Sequence, residues 1–257
     1  METSAHLAPG ASLLVFTLGE RRECQRRRLL PTRWQTLEQR LHRACLEAAL
    51  EAGRRAGCRL RVSSPIDCDL PSDVLHRPQD GQNFGARLRR ALDETFRASE
   101  GPVVLVGSDV PGISEAPIRQ ALADLAEDPD RVVLGPSPDG GFYLLATRRP
   151  LDEALAAVRW CCGDTLESLI QALEQQGRTV TLLPALDDLD HRADLERWLA
   201  EAISEPPNED WKALRALLRI ALSRASRPAV ARRSSLPGSF FRAQPLTRGP
   251  PSLASSL

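Results

Sequence analysis

The sequence predicts an α/β fold, a mostly parallel sheet flanked by helices, and three observations carry that reading. Short, continuously apolar runs such as 102–106 (PVVLV) and 131–134 (RVVL) suit strands buried on both faces. They alternate with longer segments whose apolar residues recur at helical spacing. Two of the runs lead into Gly-containing turns that carry a carboxylate, Asp109 and Asp139. In a parallel sheet that is the carboxyl end of a strand, where ligands bind.

Residues 12–17 (SLLVFT) form the first predicted strand, followed by a basic loop over 19–30 (GERRECQRRRLL). Residues 36–56 predict a helix, with Leu37, Leu41, Ala44, Cys45, Ala48 and Ala49 on one stripe and Gly57 at its end. Residues 58–63 (CRLRVS) predict a strand, 65–81 a loop with room for a short element, and 84–99 a second helix. After the 102–106 strand comes a helix over 113–125 with Ser114 placed as its N-cap. Strands at 131–134 and 142–146 flank the Asp139 turn. Helices at 151–157 and 165–176, a strand at 179–183 (TVTLL) and a helix from about 193 to 203 complete the alternation.

The predicted organisation is a leader (1–11), an α/β domain (12–203), a basic amphipathic helix (204–226) and an Arg/Ser/Pro-rich tail (227–257) expected to be disordered. Docking on the domain is the expected use of the helix. The formal net charge is zero, which gives no reason to expect nucleic acid as a partner. No apolar run approaches the ~20 residues needed to span a bilayer, and no signal peptide is read at the N-terminus. The six Cys match no zinc spacing, so reduced thiols and a cytoplasmic location are expected. Neither G-x-G-x-x-G after the first strand nor G-x-x-x-x-G-K-[ST] is present, which argues against dinucleotide and P-loop sites.

The acids suggest the chemistry. In 186–195 (LDDLDHRADL), Asp188 and Asp190 point the same way on extended backbone. With Asp109 they would hold a hard cation, Mg²⁺ or Mn²⁺, against a diphosphate. Asp139 would orient an acceptor hydroxyl or act as general base. Gly140 and Gly141 would let backbone approach a ligand. Arg26 and Arg28 in the basic loop would pair with phosphate oxygens. Each acid has a plain alternative: a capping Asp109, a hairpin-turn Asp139, and a solvated 186–190 turn with Asp190 capping the next helix.

Taken together, GSDVPG (107–112), GPSPDGGFYLLA (135–146), QDGQNFGARL (79–88) and DLDHRADL (188–195) resemble a bacterial GT-A-fold, nucleotide-diphospho-sugar-transferase-like family. Its members are associated with arsenosugar biosynthesis or with radical-SAM enzymes. The family patterns are GSDCPDL, GPAEDGGYYLLG, Q-x-G-x-D-L-G-x-R-L and D-x-D-T-P-E-D-L, and Trp160 stands where the family has W-S-T. The resemblance implies a GT-A fold and a nucleotide-sugar donor, with Asp109, Asp188 and Asp190 as metal acids. The substrate- or nucleotide-binding set is then Arg26, Arg28, Arg87, Gly107, Ser108, Gly140, Gly141 and Trp160. The fold is shared with nucleotidyltransferases, so transfer of a nucleotidyl group onto a phosphorylated small molecule is an alternative activity, and a non-catalytic binding descendant is another. The chain departs from the pattern in its first loop, K-A-P-x-P-G-x-V-K-T-R-L. Leu18 replaces the first Lys, and Arg22 and Glu23 replace Pro and Gly. Arg26 and Arg28 stand at the later Lys and Arg. Elsewhere Asn83 and Gly112 replace Asp, and Cys161-Cys162, expected to be buried, replace Ser-Thr.

Overall fold

The structure, a computed structural model, describes residues 10–200 and 209–225. Most of the predicted leader and all of the 227–257 tail lie outside the described residues. Seven strands form one sheet: β1 (Ser12–Phe16), β2 (Arg59–Ser64), β3 (Val74–Pro78), β4 (Val103–Gly107), β5 (Val132–Pro136), β6 (Phe142–Thr147) and β7 (Val180–Leu182). Their order is β3-β2-β1-β4-β6-β5-β7. β1, β2, β3 and β4 run parallel, as do β5 and β7, while β6 runs antiparallel between β4 and β5. Because β6 alone is reversed, β1, β4, β5 and β7 all end on the same rim.

The helices are α1 (Glu20–Arg27), α2 (Gln35–Arg55), α3 (Phe84–Arg97), α4 (Glu115–Glu127), α5 (Asp152–Ala157), α6 (Thr165–Gln175), α7 (Arg192–Ala200) and α8 (Glu209–Ala225). One sheet face packs Leu13, Val15, Val104, Val106 and Leu144 against Leu50 of α2 and Ile118 and Leu122 of α4. The other packs Leu14, Leu105, Leu134 and Leu145 against α3, α5 and α6. Strands covered on both faces must be apolar at every position, which explains their unbroken runs. A third cluster joins Leu37, Leu41 and Cys45 of α2 to Leu195, Trp198 and Leu199 of α7 and to Trp211, Leu214 and Leu218 of α8. The basic C-terminal helix therefore packs on the α/β core.

Two segments differ from expectation. The basic loop is a helix, α1. Glu20 and Glu23 in its first turn and Arg26 and Arg27 in its last complement the helix dipole, and Glu23 pairs with Arg27 at i,i+4. Residues 74–78 (VLHRP) form an edge strand, β3; none of them is buried, and His76, Arg77 and Pro78 break the continuous apolar run that marks the central strands.

Candidate functional site

Six strands end on the shared rim, and the segments after four of them, β1, β4, β5 and β7, supply the charged side chains of the site. Beyond β1, α1 carries Glu23 and Arg27; beyond β4 lies Asp109; beyond β5, Asp139; beyond β7, Asp188 and Asp190. The amide of Leu189 donates to the Asp109 carbonyl (3.0 Å), stitching the last segment to the segment after β4.

Arg27 is the centre of this array. Its side chain is 4% exposed. Nε donates to Glu23 Oε2 (3.0 Å), Nη2 to Asp109 Oδ2 (2.6 Å), and Nη1 to the Leu189 carbonyl (2.7 Å) and to Asp190 Oδ1. Burial disfavours its charge, but Asp109, Glu23 and Asp190 outweigh that and raise its pKa further. Glu23 is itself buried and takes the Leu18 amide on its other oxygen (3.0 Å).

Asp139, Asp188 and Asp190 form a second, adjoining group whose ligand atoms all lie within 4.8 Å of one another. Burial first, and then Asp109, Asp139 and Asp190, push the Asp188 carboxyl up to about 7. Burial also raises Asp190, with Arg27 pulling the other way. One guanidinium thus faces Asp109 and Asp190 while Asp139 and Asp188 bring further negative charge. Three convergent carboxylates, short of positive charge, are a donor set that fits a hard divalent ion.

Several predicted site residues stand in other roles. Asp109 lies on the same rim as Asp188 and Asp190, but its carboxylate is taken by Arg27, and Asp139 is the acid that joins the pair. Asp139 also serves its turn, accepting the Gly141 amide (2.8 Å). Asp190 points at Arg27 and caps no helix; Asp194 takes the His191 amide at the start of α7. Arg26 lies 3.9 Å from Asp190 with its side chain 56% exposed. Arg28 turns away, donating to the Gln25 carbonyl from a left-handed C-cap (φ 52°). The helical phase of α1 decides this: adjacent residues lie about 100° apart, so only Arg27 of the three faces inward.

Ser108 is buried and donates to Thr17 Oγ1 (2.7 Å), a tie between the ends of β1 and β4. Gly107 is needed by Asp109, since a Cβ there would come within 2.4 Å of Asp109 Oδ1. Gly140, at φ +88°, is needed by the 161–163 turn: its Cβ would meet the Gly163 carbonyl oxygen at 1.8 Å. Gly141 lies against Asp139, where an added Cβ would stand 3.0 Å from Oδ1. Trp160 is a packing residue, its ring 5.4 Å from Phe84 and 6.3 Å from Phe142 and its Nε1 donating to the Leu155 carbonyl. Arg87 has a buried Nε without a hydrogen-bond partner and no ion pair among the described residues. Cys161 and Cys162, expected inside, are both exposed.

Residues 36–162 match a bacterial family described as "Uncharacterized protein conserved in bacteria (DUF2064)". No curated protein matches. Among solved structures, a provisionally named nucleotide-diphospho-sugar transferase from Desulfovibrio desulfuricans G20 superposes with a TM-score of 0.70 at 24% identity, covering 82% of this chain and 97% of that one. A provisionally named glucose-1-phosphate thymidylyltransferase from Bacillus anthracis, in complex with a sucrose, gives 0.49 at 11% identity, covering 76% and 97%. Rv0371c from Mycobacterium tuberculosis H37Rv, in complex with manganese, gives 0.43 at 20% identity, covering 76% and 100%. The first of these likenesses establishes a nucleotide-diphospho-sugar-transferase-like fold for the chain. The comparisons carry the resemblance at that breadth and do not reach its arsenosugar or radical-SAM branch.

Arg27 and Glu23 were not legible as site residues. Arg27 stands at the Thr of the first-loop pattern, between the two basic residues the pattern singles out. The i,i+4 spacing of Glu23 and Arg27 was the available signal, and it acquires meaning only once the segment is read as a helix.

Proposed function

We propose that this chain is a metal-dependent transferase that moves a sugar from a nucleotide-diphosphate donor to a small-molecule acceptor. The observation that carries this is the meeting of Asp139, Asp188 and Asp190 on the carboxyl rim of a nucleotide-diphospho-sugar-transferase-like sheet. In this reading those three acids hold Mg²⁺ or Mn²⁺. The ion, when bound, supplies positive charge to a diphosphate and to the charge that develops as it leaves. Asp109 acts through Arg27, fixing the guanidinium that fixes Asp190. The exposed Arg26 and Arg87, which makes no ion pair among the described residues, are the candidate partners for phosphate oxygens.

Calorimetry with a panel of nucleotide-sugars and Mn²⁺ tests the proposal. Binding that needs the metal and is lost in Asp188→Ala supports it; a panel in which nothing binds overturns it. Release of pyrophosphate from a nucleoside triphosphate and a phosphorylated acceptor would place the activity with the nucleotidyltransferases instead. A second reading, a ligand-binding relative without catalysis, is favoured by Glu23 and Arg27. They fill with an internal ion pair the place where the first-loop pattern has a Gly able to approach phosphate. Turnover abolished by Asp188→Ala would exclude it.

A further inference from the structure

We propose that Arg27 is a resident cation: its guanidinium occupies a cation position between Asp109 and Asp190. The rim therefore takes one divalent ion, at Asp139, Asp188 and Asp190, the last shared with the guanidinium, where its carboxylates alone would take two. The count of exchangeable ions rests on the metal-dependent reading above, while the place of Arg27 does not.

The argument starts from the geometry of the arginine. Its Nε and both terminal nitrogens are engaged with buried or half-buried acceptors, two of them carboxylates from segments about eighty residues apart in the chain. A planar fork suits that work because it meets separate carboxylates along fixed directions. Arg27 reaches them from the last turn of α1, and Glu23, one turn back, holds Nε, so the head is anchored from its own helix as well. A divalent ion and a guanidinium serve the same need at this place, since each lets two acids approach without repelling one another. They differ in exchange. A bound ion leaves under chelation, whereas a side chain that is 4% exposed and bonded on every nitrogen does not.

The oxygens divide accordingly. Arg27 takes Oδ2 of Asp109 and Oδ1 of Asp190. Oδ1 of Asp109 lies back over Gly107, where a Cβ would be 2.4 Å away. No ion pair among the described residues reaches Asp139 or Asp188, and these two carry the negative charge left for an exchangeable ion. The chain thereby builds one half of a two-cation rim into its own sequence.

The test counts bound Mn²⁺ by electron paramagnetic resonance in the full-length protein, Arg27→Gln and Arg27→Gln/Asp109→Asn. The expected result is one more ion per chain in Arg27→Gln than in the unaltered protein, and loss of that extra ion in the double variant. Equal counts in the unaltered protein and Arg27→Gln overturn the proposal. A count of none rising to one would sustain the resident cation and sink the metal reading; a count of one in both would do the reverse. Should Arg27→Gln not fold, the unaltered protein still decides. The Arg27 Nε–H resonance should stay protected from solvent exchange and unmoved in saturating Mg²⁺ and in chelator alike. Its disappearance on adding Mg²⁺ would show an ion displacing the guanidinium, and the proposal would fall.

Discussion

Asp188→Asn should make the metal-free protein more stable at pH 8. An unfolded chain ionises this carboxyl near 3.8, whereas in the fold burial and the acids Asp109, Asp139 and Asp190 raise it to about 7. Between those values the folded chain holds a proton that the unfolded chain has released, so stability falls as pH rises across that window and levels off above it. The full gap corresponds to about 4 kcal/mol at 1.36 kcal/mol per pH unit. Asp188 is only half-buried, and solvent screening brings the expectation to about 2 kcal/mol. For a domain of this size that is roughly 4–8 °C in melting temperature. The assay is thermal unfolding in chelator from pH 4 to pH 8, followed by the same series in Mn²⁺. The two proteins should melt together near pH 4 and separate as pH rises, with the Asn variant ahead. Mn²⁺ should then lift the unaltered protein and leave the variant where it was. An Asn variant less stable than the unaltered protein at pH 8 in chelator would refute the reasoning, because it would mean that the Asp188 charge is held by favourable contacts rather than opposed by its neighbours.

Gly140→Ala should cost about 2–4 kcal/mol in denaturant unfolding, because the turn is left-handed and the new Cβ would meet the Gly163 carbonyl. Trp160→Ala should cost about 3 kcal/mol, emptying the space between Phe84 and Phe142. Ser108→Ala should lower stability by about 1 kcal/mol through the lost bond to Thr17 and leave nucleotide affinity unchanged; a large loss of affinity would put Ser108 in contact with ligand. An aromatic disulfide reagent should modify the exposed Cys161 and Cys162 quickly, while Cys45, buried and with its thiol pKa raised by that burial, should react only on unfolding.

The alternation of strands and helices, the parallel character of the sheet and the placing of acids after its strands were all readable from the sequence. Each is a local property, set by whether a run is apolar throughout or at every third or fourth residue. The register of Asp188 and Asp190, two residues apart on one segment, was readable for the same reason. Which acids meet, and what neutralises them, was decided by the tertiary structure alone. Asp109, Asp139 and Asp190 converge because the reversed β6 lets β4, β5 and β7 finish on one rim, a fact about strand order that no local pattern encodes. Arg27, rather than Arg26 or Arg28, entered that rim because α1 is a helix, and a helix turns adjacent side chains in different directions. The same segment read as a loop has no inward face, so its buried arginine could be found only once the chain had folded around it.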